Sequence, residues 1–139
     1  MLTMEMLQEA KKVLDGVARK TPVFQSTYIN PDADVYIKCE NMQVTGSFKL
    51  RGAYFKTASL TDEEAQKGVI ACSAGNHAQG VALAAQKKGI PAVICMPESA
   101  PMAKVEATRS YGAEVVLVPG VYDDAAAKAT QLQQEKGYT

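Results

Sequence analysis

The sequence predicts an α/β fold in which an open parallel sheet carries helices on both faces. Three apolar runs in the second part of the chain are bounded by glycine or proline: GVIAC (68–72), AVICM (92–96) and EVVLV (114–118). Near-continuous apolar strands are typical of parallel sheets that are covered on both faces. Helix-like segments separate these runs, and alternating strands and helices indicate right-handed crossover connections.

The segments between and after these strands are expected to be helices, at 76–89, 100–112 and 122–136. The first two end in Gly89 and Gly112, where glycine commonly terminates a helix. The second also has a proline in its first turn, the one part of a helix that tolerates it.

The N-terminal part is less regular. Residues 4–20 place apolar side chains at helical spacing, which predicts one helix that ends before Pro22. Short β-like runs at 23–24 and 35–39 are separated by a turn at 30–32.

Two helix starts are marked by capping residues. Ser47 is placed to cap a helix running from about 48 to 58. Thr61, followed three residues later by Glu64, predicts a capping box that opens a short helix.

The regular spacing of the predicted strands indicates that the sequence stops before the series of strands is complete. The apolar runs begin near residues 69, 92 and 114, so the next strand is due near residue 138, and the sequence has 139 residues. We therefore expect a fragment of a longer protein. The alternative is a small complete domain whose last helix covers the sheet.

Composition excludes several classes of function. The net charge is zero, which provides no basic field for nucleic acid or anionic lipid. No apolar run approaches the roughly 20 residues of a membrane helix, and no signal peptide is recognisable. Cys39, Cys72 and Cys95 lack metal-site spacing, and His77 is the only histidine, so no metal is expected. Reduced thiols favour a cytoplasmic protein.

The first segment that could carry chemistry is TGSFKLRGA (45–53). Lys49 falls in the first turn of a predicted helix, where the helix dipole disfavours a cation. Together with partial burial, that field would lower the pKa of Lys49 and free its amine for Schiff-base chemistry. The alternative is an ordinary solvated lysine.

The second segment, CSAGNHAQG (72–80), joins a predicted strand directly to a predicted helix. Ligands of open α/β sheets bind at the carboxyl ends of strands, and a helix N-terminus there attracts anions. The small residues Ser73, Ala74 and Gly75 would let a carboxylate or phosphate reach the backbone, and Asn76 adds a hydrogen-bonding side chain. Helix capping by Ser73 and Asn76 is the alternative. The glycine fingerprints of nucleotide-binding folds are absent.

Together, the two segments resemble the pyridoxal-phosphate (PLP) enzymes of the tryptophan-synthase-β fold type. Within that group, ENMQVTGSFKLRGA followed by SAGNHAQG is most similar to threonine dehydratases (threonine ammonia-lyases) and the related serine racemases. The resemblance extends over essentially the whole chain. It implies the smaller α/β domain of that fold at 45–139, and elements of the larger domain at 1–44.

The resemblance also implies a role for each site residue. Lys49 holds the cofactor and then acts as the base at the substrate Cα. Phe48 flanks the cofactor, and the Asn76 side chain binds its ring hydroxyl oxygen. The loop of Ser73, Ala74, Gly75 and Asn76 binds the carboxylate of L-threonine or L-serine. The products are 2-oxobutanoate or pyruvate, with ammonia.

One position separates the close relatives. Racemases of this family carry a serine as second base where this sequence has Ala74, which cannot transfer a proton. This favours dehydration over racemisation or a serine-specific activity. A non-catalytic α/β module that binds a small anion is the third alternative.

The family's glycine-rich phosphate loop and the residue facing the pyridine nitrogen come later in the chain than these 139 residues. We therefore expect this chain to be inactive alone. We expect the full-length protein to be a homo-oligomer, in isoleucine biosynthesis or in threonine breakdown. The first helix should expose an apolar face, and the first 20 or so residues should self-associate or be disordered.

Overall fold

The structure is a computed structural model that describes residues 2–139. Helices and strands follow one another in this order: α1 (Met4–Val13), β1 (Val23–Ser26), β2 (Val35–Lys38), a short 3-10 helix (Glu40–Met42), α2 (Lys49–Ala58), α3 (Asp62–Lys67), β3 (Val69–Cys72), α4 (Asn76–Lys88), β4 (Ala92–Pro97), α5 (Met102–Ser110), β5 (Glu114–Val118) and α6 (Tyr122–Lys136).

The three apolar runs form a parallel sheet in the order β3-β4-β5. Cys72 of β3 pairs with Cys95 of β4, and Val93 of β4 pairs with Glu114 of β5. The central strand β4 is buried along its whole length, as expected for a strand covered on both faces. The predicted parallel sheet is therefore confirmed, with each strand within one residue of its expected bounds.

Helices cover both faces of this sheet, as predicted. Because strand side chains alternate between faces, Val69 and Ala71 point to one side and Ile70 and Cys72 to the other. The first side packs against α4 and α5, and α2 packs in turn on α4. The buried residues of this layer include four alanines of α4 (Ala78, Ala82, Ala84 and Ala85). The second side packs against α6, through Ala125 and Ala129.

The helix ends follow the capping signals. Thr61 and Glu64 form the predicted capping box, in which the Thr61 N–H donates to Glu64 Oε2 at 2.8 Å. Gly89 ends α4 in the left-handed conformation, with φ of 68°. α5 is shorter than the predicted 100–112, because Pro101 precedes its first turn and the chain leaves the helix at Tyr111.

The predicted single helix over residues 4–20 is wrong. α1 ends at Val13, and the chain then turns through Gly16, whose φ of +72° is a left-handed conformation that favours glycine. α1 has no buried residue and exposes Met4, Met6 and Leu7, so the expected apolar face is present. The two short β-like runs pair as an antiparallel hairpin, β1 with β2.

The last residue lies on the free edge of β3. The Thr139 N–H donates to the Gly68 carbonyl at 3.0 Å, and the Thr139 carbonyl accepts from the Ile70 N–H at 2.9 Å. These two hydrogen bonds join Thr139 to the edge of the sheet, although residues 137–139 belong to no helix or strand. Within residues 2–139, no helix combines the length and hydropathy needed to cross a bilayer.

Candidate active site

Lys49 is the first residue of α2, and the buried Ser47 holds the start of that helix. The Lys49 N–H donates to Ser47 Oγ at 3.2 Å, but the prediction that Ser47 is the N-cap residue is wrong. The helix begins one residue later than expected. Phe48 therefore occupies the N-cap position, without a side-chain capping bond.

The Lys49 side chain is exposed, and the partial burial expected for it is wrong. Its Nζ lies 5.1 Å from the centroid of the Phe48 ring, which is within the range of a cation–π contact. Both side chains are exposed to solvent at the N-terminus of α2. The amine is thus directly accessible to a carbonyl compound from solution.

The loop of Ser73, Ala74 and Gly75 connects the carboxyl end of β3 to α4. The Ser73 N–H donates to the Cys95 carbonyl at 3.1 Å, which anchors the loop to the central strand. Ser73 Oγ accepts from the Gly75 N–H at 3.3 Å, so its hydroxyl stabilises the loop itself. The first N–H groups of α4 have no intrahelical partner, as at any helix N-terminus, and they supply the anion-binding character.

Asn76, the first residue of α4, is oriented by a residue that the sequence analysis missed. Lys104 of α5 donates from Nζ to Asn76 Oδ1 at 2.9 Å. With its oxygen engaged, the Asn76 amide still has N–H groups to donate to a ligand oxygen. No local pattern could have identified Lys104, which lies 28 residues further along the chain.

Gly80 brings α2 and α4 into backbone contact at the site. A Cβ built on Gly80 would lie 3.2 Å from both the carbonyl carbon and the carbonyl oxygen of Lys49, and 3.3 Å from the Leu50 nitrogen. No role was predicted for Gly80, although an isolated glycine inside a helix is a recognisable signal of close packing.

The environment of His77 also indicates that Lys49 lies close to the start of α4. Partial burial lowers the pKa of His77 from its usual value of 6.5, and the positive charge of Lys49 lowers it further. The structure therefore brings Lys49 together with the start of α4, although the two segments are separated by more than 20 residues in the sequence.

The side chains on this surface fit a PLP site. An accessible primary amine can bond to an aldehyde carbon, the Asn76 amide can donate to a ring oxygen, and the N-terminus of α4 can receive a carboxylate. The Lys104 ammonium next to Asn76 further favours an anionic ligand. The residues present are therefore chemically suited to hold this cofactor and an amino acid.

Several known proteins are similar to this chain in sequence or in structure. The L-threonine ammonia-lyase of Thermotoga maritima is 48% identical over 139 residues, which cover 99% of this chain and 35% of that protein. Maize serine racemase superposes with a TM-score of 0.91 at 36% identity, over 98% of this chain and 42% of the maize chain. Threonine deaminase isoform 2 of Solanum lycopersicum superposes with a TM-score of 0.85 at 39% identity, over 100% of this chain and 40% of the tomato chain.

The chain thus spans about two fifths of the length of the proteins that it matches. Residues 14–139 match the family described as pyridoxal-phosphate dependent enzyme, which is most of the sequence. On this match, and on the folds and identities above, the chain belongs to the family of pyridoxal-phosphate dependent enzymes.

Proposed function

We propose that the protein carrying this chain is a PLP-dependent threonine ammonia-lyase, which converts L-threonine to 2-oxobutanoate and ammonia and L-serine to pyruvate and ammonia. The L-threonine ammonia-lyase at 48% identity supports this substrate class. The observation that carries the proposal is the packing of the Lys49 backbone against Gly80, one turn into the helix that Asn76 opens. This packing supports a shared site, because the helix that carries the Lys49 amine lies against the helix that begins at Asn76.

Each residue then has a defined task. Lys49 would hold the cofactor through Nζ, and the same amine could take the proton from the substrate Cα. The Ser73–Asn76 loop orients the substrate carboxylate through backbone N–H groups. The Asn76 side chain could donate a hydrogen bond to an oxygen of the cofactor, and Phe48 would lie beside the cofactor. When bound, PLP supplies an electron sink for the pair left at Cα. Loss of the β-hydroxyl completes a dehydration, and hydrolysis returns one water and releases ammonia.

Serine racemase is the second candidate, favoured by the similarity to the maize enzyme. Racemisation by two bases needs a proton donor on the face of the cofactor opposite Lys49. Ala74 has only a methyl side chain at the position where the racemase pattern has serine, which favours elimination. Introducing the hydroxyl with Ala74→Ser should raise the ratio of racemisation to elimination in the full-length protein.

We further propose that residues 45–139 form the smaller cofactor-binding domain and that residues 1–44 pack with the larger domain. The exposed apolar residues of α1, β1 and β2 support the second part, because such surfaces are usually covered by protein. We propose that the full-length enzyme is cytoplasmic and that it assembles as a homo-oligomer. Isoleucine biosynthesis and threonine breakdown are both compatible with this site.

Reductive trapping tests the proposal directly. The purified chain is mixed with PLP, reduced with borohydride and analysed by peptide mass spectrometry. We expect one dominant adduct on Lys49, and a Lys49→Arg variant should lose it. Equal labelling of several surface lysines would contradict the proposed site in this chain.

A further inference from the structure

A cluster of polar residues connects the first turn of α2 to the chain segments that precede it. We call it the Glu40 clasp; it consists of Arg19, Thr21, Glu40, Gln43 and Arg51. At its centre, Arg51 binds the Glu40 carboxylate with two parallel hydrogen bonds, from Nε to Oε2 and from Nη2 to Oε1, both at 2.9 Å. Thr21 donates from Oγ1 to Glu40 Oε1 at 2.6 Å. This bidentate geometry fixes the plane of the guanidinium group as well as its position.

The second half of the clasp holds the preceding chain segment. Gln43 is only 2% exposed. It accepts from the Arg19 N–H at 2.8 Å and donates to the Arg19 carbonyl at 3.1 Å. Arg51 Nη2 also donates to that carbonyl, at 3.4 Å. The clasp therefore connects residues 19–21, the 3-10 helix and α2 through hydrogen bonds that span 11 to 32 positions of sequence.

The clasp does not touch the Lys49 amine. Residues two apart in a helix point in different directions, so Arg51 and Lys49 project from different sides of α2. The clasp thus holds α2 from one side. On another side α4 packs so closely that a Cβ built on Gly80 would lie 3.2 Å from the Lys49 carbonyl. Between them, these contacts restrain the rotation of the first turn of α2, and hence the direction of the Lys49 side chain.

Charge reinforces the geometry. The first turn of α2 contains the cations Lys49 and Arg51 and no acidic residue, although the helix dipole disfavours positive charge there. Glu40 supplies the missing negative charge from outside the helix. Its side chain is 17% exposed, and the hydrogen bonds from Arg51 lower the pKa of Glu40 to about 2. The pair is therefore ionised throughout the neutral range.

We propose that the Glu40 clasp is a positioning device for Lys49: it orients the first turn of α2 so that Nζ faces the start of α4. This inference rests on the proposed function of Lys49 as the residue that holds PLP. Glu40 and Arg51 act through the helix and are positioning residues rather than catalytic ones.

The experiment compares Glu40→Gln and Arg51→Lys with the wild-type chain in the borohydride trapping assay. Glu40→Gln removes the charge and keeps the shape, whereas Arg51→Lys keeps the charge and removes the bidentate geometry. The matched controls are Glu106→Gln and Arg109→Lys. They alter a single-contact pair of 2.9 Å on α5 whose side chains are 60% and 45% exposed.

The readout is the ratio of adduct on Lys49 to adduct on the other lysines, measured where urea titration shows every variant to be fully folded. We expect this ratio to fall at least threefold in both clasp variants and to stay within experimental error in both controls. A clasp that only stabilised the fold would lower the urea midpoint and leave the ratio of the folded population unchanged. That second result would overturn the inference while the proposed function stood.

If PLP labels Lys49 of the wild-type chain no more than the other lysines, the proposed site in this chain is refuted. The positioning by the clasp is then tested by a separate measurement. Amide hydrogen exchange at Lys49 and Leu50 then measures the order of the first turn without cofactor. Faster exchange in Glu40→Gln than in Glu106→Gln, with the rest of α2 unchanged, supports positioning by the clasp. Equal exchange in the two variants overturns it.

Discussion

Replacing Gly80 by alanine tests how closely α2 and α4 must approach at the site. Two effects oppose each other. Alanine is favoured over glycine in a helix interior by about 1 kcal/mol. Against this, the new methyl group would lie 3.2 Å from the carbonyl carbon and oxygen of Lys49, and those backbone atoms can move only if α2 moves. Overpacking of this kind costs about 1–3 kcal/mol. We therefore expect Gly80→Ala to lower the free energy of unfolding by about 1 kcal/mol net.

Gly52 provides the matched control. It lies inside α2, is exposed, and a Cβ built on it has no neighbouring atom within 4 Å. Gly52→Ala therefore receives the helix-propensity gain without the clash, and should stabilise the chain by about 0.5–1 kcal/mol. Urea unfolding should separate the two variants by roughly 1 M in midpoint, given an m value of about 2 kcal/mol/M. Stabilisation of Gly80→Ala equal to that of Gly52→Ala would refute the argument that this contact is tight.

Four further outcomes follow from the structure. Because the folded pKa of Glu40 is about 2 against 4.5 for the free carboxyl, its stabilisation is complete above pH 4.5 and is lost as the pH falls towards 2. Discounted for the exposure of Arg51, this is about 1–2 kcal/mol, and Glu40→Gln should flatten the acid limb of a stability–pH curve. Gly68→Ala should lower the free energy of unfolding, measured in urea, by about 2–4 kcal/mol. The φ of Gly68 is +88°, and the new methyl group would lie 2.7 Å from the Pro91 carbonyl oxygen. A smaller loss would mean that the backbone between β3 and β4 shifts to make room for the methyl group. Lys104→Met removes the hydrogen bond to Asn76 and should weaken PLP capture about fivefold with little change in stability; unchanged capture would show that Asn76 needs no such support. The exposed apolar face of α1 should cause concentration-dependent association in sedimentation, and a strict monomer with α1 protected from hydrogen exchange would contradict this.

The parts of the fold that sequence predicted well are those set by local chemistry. β4 could be recognised because a strand buried on both faces must be apolar at every position. The start of α3 could be recognised because Thr61 and Glu64 satisfy each other's backbone N–H groups within one turn. The site loop followed from the same reasoning, since small residues between a strand and a helix leave backbone N–H groups accessible.

The parts that sequence missed depend on partners far along the chain. α1 was expected to continue to residue 20 because its apolar spacing continues. The chain instead leaves the helix at Leu14, and Arg19 uses its backbone groups to bind Gln43, 24 residues later. Lys49 was expected to be partly buried on the basis of its position in the helix. Its exposure depends on which elements surround α2, and helical periodicity carries no information about that.

Lys49 depends both on local sequence and on contacts with residues far along the chain. The sequence motif supplies an amine, an aromatic ring and a serine hydroxyl that accepts a hydrogen bond from the Lys49 N–H. Their direction in space is fixed by residues that the motif does not explain, namely Gly80 on α4 and Glu40 beside the 3-10 helix. A lysine has four rotatable bonds, so an exposed amine is positioned only as well as the helix that carries it. The precision of this site should therefore depend more on the packing around α2 than on any contact of the amine itself.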